Sequence, residues 1–293
     1  MTFVDVEIAS QPECWRRAAA RAAETTVLPT RGERIAIVGC GTSLYMAQAY
    51  AALREGHGHG ESDAFAASEF PFGRRYDRVI ALTRSGTTTE VLDLLRRLRG
   101  TTRTVVVTAV PGPEVTSVAG ELVDLRFADE QSVVQTRFAT TALTLFRAHL
   151  GLHSDAVVRD AETALAEPLP EGLVDRTQLA FLGRGWTVGL ANEAALKMKE
   201  ASLSWTESYP AMEYRHGPIS IATDTTATWM FGPAPKGMPE QVRSTGARWV
   251  SSDLDPLADL VRVQRLAVAR AVARGLDPDR PRHLTRSVVL QDA

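Results

Sequence analysis

The stretch Arg34–Arg54, RIAIVGCGTSLYMAQAYAALR, decides the predicted fold. Its first six residues form a short apolar run, which is typical of a strand buried in a parallel sheet. A glycine-containing turn, CGTS, follows at once, and the residues from Leu44 to Arg54 are mostly helix formers. A buried strand that runs through a turn into a helix is the first half of a strand–helix–strand unit. The stretch therefore predicts an α/β protein.

The same pattern recurs through the first half of the chain. Further strands are predicted at Tyr76–Leu82, Thr104–Thr108 and Leu122–Arg126, and a long helix is predicted at Val134–Leu150. Helical segments and short loops separate these strands. Strands that alternate with helices favour a parallel sheet covered by helices on both faces.

The second half of the chain repeats the first at a nearly constant offset. Gln178–Gly183 is again an apolar strand that leads into a glycine turn, and the strands Ala227–Phe231 and Arg248–Ser252 match two strands of the first half. Such self-similarity indicates a duplicated domain. Little room remains for another strand before the predicted helix Pro256–Arg274, so the second copy is expected to be shortened.

These patterns predict five segments. Glu7–Ala23 has the pattern of an amphipathic helix, and the stretch around Pro168 and Pro170 has the composition of a linker. The predicted segments are an N-terminal helix at 1–30, a first domain at 31–153, a linker at 154–174, a second domain at 175–276 and a C-terminal tail at 277–293.

Composition narrows the functional class. The chain has 293 residues, a net charge of −2 and only two cysteines. This charge gives no electrostatic footprint for nucleic acid or an acidic membrane surface, and no apolar run approaches the length of a membrane span. No signal peptide is apparent at the first residues. We therefore expect a cytoplasmic protein that binds neither nucleic acid nor membrane.

Two hydroxyl-rich loops follow predicted strands. Thr42 and Ser43 precede one helix, and the segment Thr83–Thr88 precedes another. Small residues and free backbone N–H groups at a helix N-terminus suit a phosphate group, although a lone Gly-Thr-Ser can simply cap a helix. Arg84 adds positive charge. A P-loop motif is absent, and Leu44 stands where a dinucleotide loop needs its third glycine.

A second set of candidate residues lies on the predicted helix Ala191–Leu203. Glu193, Lys197 and Glu200 stand at positions i, i+4 and i+7 and share one helical face. His216 follows further along. Carboxylates, an ammonium and an imidazole are groups that move protons near neutral pH, but the same pattern occurs in solvated ion-pair stripes. The helix alone leaves both interpretations open.

Taken together, these motifs resemble a known family. The residues that carry the resemblance are Gly39–Ser43, Ser68–Phe70, Arg84–Thr88, Glu193–Glu200 and Arg215–Pro218. In this order they resemble the double sugar isomerase (SIS) domain family. That family includes tagatose-6-phosphate ketose/aldose isomerases, amino-sugar-6-phosphate deaminases and the isomerase module of glucosamine-6-phosphate synthase. The glutaminase domain of the synthase has no counterpart in this sequence.

The resemblance implies a fold and a set of roles. Each half should be a flavodoxin-like three-layer α/β/α domain with a parallel sheet. The residues that should bind the phosphate and the rest of the substrate are Thr42, Ser43, Thr83, Arg84, Ser85, Thr88, Val133 and Arg286. Glu200 should shuttle a proton between two sugar carbons, and Lys197 should stabilise the enediol(ate). Glu193 matches a substrate-site acid, and His216 matches an imidazole that helps open the sugar ring from a neighbouring subunit.

The implied activity is isomerisation or deaminating isomerisation of a 6-phosphorylated sugar or amino sugar, by a homodimer with a shared active site. We expect no metal or organic cofactor. Arg286, in the tail, stands where the synthase has a lysine, and arginine cannot form a Schiff base. A sugar-phosphate-binding regulatory module without turnover and a fructosamine-6-phosphate deglycase remain alternatives.

Overall fold

The computed structural model describes residues 2–290 and contains two parallel sheets with flanking helices. Within these residues the helices are α1 (Phe3–Ala9), α2 (Gln11–Glu24), α3 (Thr42–Gly56), α4 (Thr89–Leu98), α5 (Pro113–Thr116), α6 (Arg137–His149), α7 (Asp155–Ala166), α8 (Thr187–Ser202), α9 (Met238–Ser244) and α10 (Pro256–Ala273). The strands are β1 (Ile35–Gly39), β2 (Ser62–Ala66), β3 (Arg78–Leu82), β4 (Arg103–Thr108), β5 (Glu121–Asp124), β6 (Gln178–Gly183), β7 (Trp205–Pro210), β8 (Thr226–Met230) and β9 (Arg248–Val250).

The chain divides into two compact units, neither of which is continuous in sequence. Unit 1 consists of residues 1–12, 132–136 and 154–284. Unit 2 consists of residues 13–131, 137–153 and 285–293. Unit 1 holds the sheet of the second half of the chain, and unit 2 holds the sheet of the first half.

The sheet of unit 2 has five parallel strands in the order β2-β1-β3-β4-β5. Strand β1 is an inner strand next to the edge strand β2, with Ile35 paired to Ser62 on one side and to Arg78 on the other. All five residues of β1 are buried, as the uninterrupted apolar run predicts. The expected parallel α/β sheet is confirmed.

The sheet of unit 1 has four parallel strands in the order β7-β6-β8-β9. This order repeats that of the other sheet, with β6 in the place of β1, but the counterpart of β5 is missing. Only five residues separate the end of β9 from the start of α10. The duplication and the shortened second copy are therefore both confirmed.

Glycines let the inner strands β1 and β6 turn closely into the helices that follow them. A Cβ on Gly39, at the end of β1, would lie 2.7 Å from the backbone carbon of Ser43 in α3. A Cβ on Gly183, at the end of β6, would likewise clash with the backbone of Thr187 in α8. Real Cβ contacts are not this short, so both turns require glycine. The two turns place α3 and α8 at equivalent positions of their sheets.

The segments that join these sheets differ from the predicted ones. Two helices, α1 and α2, replace the single helix expected at Glu7–Ala23, because the ring of Pro12 is incompatible with a helix continuing from Ile8. The predicted linker 154–174 contains the twelve-residue helix α7, which packs against α10 within unit 1. The tail is divided, with residues up to 284 in unit 1 and the remainder in unit 2.

Candidate active site

Helix α8 carries the three charged residues predicted to share a face. It begins at Thr187, whose hydroxyl accepts a hydrogen bond from the Arg184 N–H at 2.8 Å, and it ends before Leu203, which has a left-handed backbone conformation (φ 52°). Alanines at 191, 194, 195 and 201 are buried and allow close packing of the helix. The helix thus follows the carboxyl end of β6, where parallel sheets bind their ligands.

The charged face of α8 is buried. The Lys197 Nζ lies 3.5 Å from the Glu193 Oε1, and it also donates a hydrogen bond to the Glu200 carboxylate. The side chains of Lys197 and Glu193 are 1% and 0% exposed, whereas that of Glu200 is 18% exposed. A solvated ion-pair stripe would expose all three side chains, so this face is not one.

Because this face is buried, its charges have to compensate one another. An ammonium removed from water requires compensating negative charge, which two carboxylates supply. Glu193 is completely enclosed, and Glu200 is the carboxylate that a small molecule can reach. This arrangement can present one base and one fixed cation to the same substrate atoms.

His216 lies elsewhere in unit 1, on the short 3₁₀ turn Glu213–His216. The turn is anchored by Tyr214, which is buried and contacts the Thr228 hydroxyl at 3.3 Å, and by Arg215, which donates to the Lys236 carbonyl at 2.7 Å. His216 itself is exposed. A rigid turn therefore presents the imidazole to solvent.

Val133, the remaining candidate in unit 1, belongs to a short segment held from two sides. Its N–H donates to the Asp279 carbonyl at 3.5 Å. The neighbouring Ser132 donates its backbone N–H to the Glu7 carboxylate at 3.2 Å, and its hydroxyl bonds the same carboxylate. Glu7 is buried and holds this segment in place, although no sequence pattern singles it out.

Both hydroxyl-rich loops lie at the carboxyl edge of the sheet of unit 2. Thr42 and Ser43 open α3 and are each 4% exposed. The segment Thr83–Thr88 follows β3, which is paired in parallel with β1. Loops that leave neighbouring parallel strands emerge side by side. The fold therefore brings the two loops together.

The loop Thr83–Thr88 is held open by its own hydrogen bonds. The Thr83 hydroxyl accepts from the Gly86 N–H at 3.2 Å, and the Ser85 hydroxyl accepts from the Thr87 N–H at the same distance. Gly86 has a φ of +69°, and a Cβ there would clash with the Val110 carbonyl. The result is a concave turn lined by hydroxyls at the N-terminus of α4, which is a suitable anion site.

Arg84 does not point freely into this turn. Its guanidinium is 1% exposed and lies 3.6 Å from the Glu130 carboxylate, which is itself fully buried and accepts the Arg137 N–H at 2.8 Å. Arg84 also donates to the Arg286 carbonyl at 2.8 Å. The Glu130 carboxylate thus balances the charge of Arg84 within unit 2. The contacts of the Arg84 side chain connect the turn to the tail.

The tail segment Thr285–Leu290 lies across the hydroxyl turn. The Ser287 hydroxyl is 3.0 Å from the hydroxyls of Ser85 and Thr87 and 3.4 Å from that of Thr88. The Arg286 side chain bonds the Asp129 carboxylate. Sequence reasoning singled out Arg286 in the tail and missed Ser287, because no local pattern links two positions 200 residues apart.

Residues 2–290 contain neither a membrane-spanning helix nor a metal-binding cluster. No helix within residues 2–290 is long and apolar enough to cross a bilayer. No group of three or more His, Cys, Asp or Glu side chains within the same residues is placed to hold a metal ion.

Several solved structures share the fold of this chain. The glucosamine-6-phosphate deaminase of Thermotoga maritima superposes with a TM-score of 0.81 at 24% identity, covering 99% of this chain and 100% of that one. The C-terminal domain of the glucosamine-fructose-6-phosphate aminotransferase of Francisella tularensis superposes with a TM-score of 0.77 at 20% identity, covering 96% and 98%. Tagatose-6-phosphate ketose/aldose isomerase from Escherichia coli gives 0.71 at 17% identity, covering 95% of each chain.

Relatives in sequence are isomerizing glutamine–fructose-6-phosphate aminotransferases. The protein of Gloeobacter violaceus is 31% identical over 320 residues, which cover 88% of this chain and 52% of the relative. That of Sulfolobus acidocaldarius is 27% identical over 296 residues, which cover 88% and 50%. The chain thus spans about half the length of the curated relatives it matches. No family model matches the chain. The resemblance to double SIS proteins is confirmed.

Proposed function

We propose that the protein is an aldose–ketose isomerase or deaminating isomerase of a 6-phosphorylated sugar or amino sugar. The observation that carries the proposal is the buried Lys197, held between the enclosed Glu193 and the accessible Glu200. A buried ammonium beside a reachable carboxylate suits proton transfer next to a carbonyl group, because base and charge stabiliser are both present.

In this proposal Glu200 removes the proton from the carbon next to the carbonyl and returns it to the neighbouring carbon. Lys197 stabilises the negative charge that develops on the enediolate oxygens, an effect worth several kcal/mol in a site that excludes water. Glu193 holds the ammonium on the side away from the substrate. His216 assists ring opening, which needs a group that titrates near neutral pH.

Phosphate binding is assigned to the hydroxyl turn of unit 2. Ser85 and Thr88 supply hydroxyl donors, Ser43 adds another from the neighbouring loop, and backbone N–H groups at the start of α4 favour the negative charge. Because the phosphate is remote from the reacting carbons, its binding energy serves to hold the sugar in register. Arg286 pairs with Asp129 and cannot form an imine, so the proposed reaction proceeds without a covalent step at the tail.

The test is the Glu200→Gln variant in deuterated water. We expect turnover of fructose 6-phosphate or glucosamine 6-phosphate, and solvent deuterium entry at C1 or C2, to fall by about 10²–10⁴-fold. Ligand-induced thermal stabilisation should remain, because the phosphate turn is intact. Glu240→Gln, an exposed carboxylate of α9, is the matched control and should retain full activity.

Other outcomes of these assays would support one of the two alternative functions. Thermal stabilisation by sugar phosphates without deuterium entry in the unaltered protein would identify a regulatory binding module. Release of an amino acid from a 6-phosphorylated fructosamine conjugate would identify a deglycase. Unaltered turnover in Glu200→Gln would refute the assigned base.

We further propose that the active protein is a homodimer in which His216 acts in the partner's site. The exposure of His216 on a fixed turn supports this, as does Trp205, which starts strand β7 at the edge of its sheet and is 77% exposed. Inactive Glu200→Gln and His216→Asn proteins should then complement each other. After dissociation and mixing, roughly a quarter of normal turnover should return, because each mixed dimer regains one intact site. Absence of recovery in mixed dimers isolated by affinity tags would refute the shared site.

A further inference from the structure

A large cationic groove lies in unit 2 at the amino edge of its sheet, away from the hydroxyl turn. Its volume is about 870 Å³, and it is lined by residues that directly precede three strands, including Arg34 before β1 and Asp77 next to β3, and by the last turn of α4. Strands of five residues separate this edge from the carboxyl edge by about 16 Å. The groove is therefore distinct from the proposed phosphate site.

The groove concentrates positive charge in a chain whose net charge is −2. Four arginines line it, namely Arg34, Arg74, Arg75 and Arg97, against the single carboxylate of Asp77. Arg34 pairs with Glu61 at 2.9 Å and Arg74 with Asp63 at 3.5 Å. No carboxylate within residues 2–290 lies within ion-pair distance of Arg75 or Arg97. The carbonyls at the C-terminus of α4 offset only about half a charge.

Aromatic rings form the other wall of the groove. The Phe72 ring is 38% exposed and packs edge-on against the buried Phe70, with ring centroids 5.1 Å apart. The guanidinium carbon of Arg97 lies 3.5 Å from the Phe72 ring centroid. This stacking fixes the planar guanidinium, whose outer face remains available to a second flat group. An exposed surface arginine that served only solubility would need no such support.

Charge, planarity and volume together indicate the ligand class. Arginine forks bind phosphate oxygens in pairs, and a stacked arginine–aromatic pair accepts a nucleobase. A nucleoside diphosphate carries roughly three negative charges, and Arg75 and Arg97 offer it two positive charges that have no carboxylate partner. The groove has the size of an ordinary small-molecule site and is far larger than an inorganic ion needs. The net charge of −2 disfavours a nucleic acid strand as the ligand.

We infer that this groove is a binding site for a nucleoside 5′-diphosphate, in which the phosphates contact Arg75 and the base stacks on Arg97 above Phe72. The inference does not depend on the proposed isomerase activity. It assigns a role to Arg97, which lies in a basic stretch, Arg96–Arg99, that by sequence alone has the pattern of a solvated helix face.

Isothermal titration of the full chain with ADP and UDP tests the inference at low ionic strength. We expect a dissociation constant on the order of 100 µM or tighter for at least one of them. Arg75→Ala and Arg97→Ala should each weaken binding by about fivefold or more. Arg96→Ala changes the preceding residue of the same helix, which pairs with Asp93 outside the groove, and should leave binding within about twofold.

Further titrations identify the class of ligand and locate its binding site in the groove. Phe72→Ala should reduce ADP binding to the level of pyrophosphate, since only the base contact is lost. Fructose 6-phosphate at saturation should not displace the nucleotide. The inference is overturned if neither nucleotide binds or if pyrophosphate binds as tightly as ADP. It is also overturned if Arg96→Ala weakens binding as much as Arg97→Ala. Competition by fructose 6-phosphate, or tighter binding of a short RNA strand, would overturn it as well. Far-ultraviolet circular dichroism of each variant confirms that the fold is retained.

Discussion

At the scale of single residues, the buried Lys197 depends on carboxylates that differ in accessibility. Glu193 is fully enclosed, so removal of its charge leaves part of a buried ammonium uncompensated. We expect Glu193→Gln to lower the free energy of unfolding by about 3 kcal/mol, measured by urea denaturation. Glu171→Gln, at an exposed position of the same unit, should change it by less than about 0.5 kcal/mol. A smaller effect at Glu193 than at Glu171 would contradict this account.

Asp259 in α10 gives a prediction about pH. Burial raises the pKa of its carboxyl from 3.8 to about 6, against the opposing effects of the Trp229 N–H, 2.7 Å away, and of Arg262. Because the folded-state pKa is the higher one, the unfolded chain loses its proton first as pH rises. This group's contribution to stability is therefore full below pH 4, falls between pH 4 and about 6, and is constant above that range.

The Asp259→Asn variant isolates this contribution. The difference in unfolding free energy between the unaltered protein and the variant should change by roughly 3 kcal/mol over the titration range. Urea denaturation at several pH values measures it. Asp253→Asn, at an exposed position before the same helix, should show the slope of the unaltered protein. An identical slope for Asp259→Asn would refute the assignment.

At the scale of elements, the hydroxyl turn depends on one glycine. Gly86 has a positive φ, and a Cβ there would clash with the Val110 carbonyl, whereas Gly100 has a positive φ with nothing within 4 Å. We expect Gly100→Ala to cost about 1 kcal/mol, which is the backbone strain alone. Gly86→Ala should cost at least about 2 kcal/mol and should also abolish binding of inorganic phosphate to the turn. Equal costs at the two positions, measured by thermal denaturation, would show that the clash is relieved.

The tail segment that covers the turn leads to a separate prediction. The Ser287 hydroxyl lies among three hydroxyls of the turn, at a point that suits a phosphate oxygen. A bound phosphate must therefore displace Ser287. Loss of these bonds in Ser287→Ala should tighten inorganic phosphate binding by about fivefold, as titration calorimetry would detect. Ser220→Ala, at an exposed position of unit 1, serves as the control. Weaker binding in Ser287→Ala would mean that this hydroxyl itself binds the phosphate.

These elements mark the limit of sequence reasoning. The turn Thr83–Thr88 and the face of α8 were predictable, because glycine, hydroxyl spacing and helical period are local properties. The Arg84–Glu130 ion pair and the position of Ser287 against the turn were not predictable, since each joins distant segments that only the fold brings together. The duplicated strand order was predictable from repetition. Helix α7 was not predicted, because Pro168 and Pro170 give the predicted linker the composition of a loop.

At the scale of the whole molecule, the N-terminal residues belong to the unit built by the second half of the chain. In α1, Ile8 is 3% exposed and Val6 is 49% exposed. We expect Ile8→Ala to lower the stability of unit 1 by about 3 kcal/mol and Val6→Ala to have little effect. Tryptophan fluorescence during urea denaturation reports on unit 1, because four of the five tryptophans follow residue 154. Equal effects of the two variants would contradict this placement.

The sequence by itself determined the α/β class, the duplication, the shortened second copy and the residues that could carry chemistry. Each follows from local patterns, namely an apolar run, a glycine turn or a helical period, or from the recurrence of these patterns along the chain. Only the tertiary structure decided that Lys197 is buried rather than solvated, that Arg84 is neutralised by Glu130, and that Arg97 stacks on Phe72 in a cationic groove. Burial and charge pairing depend on which distant segments meet, and a local pattern carries no information about that.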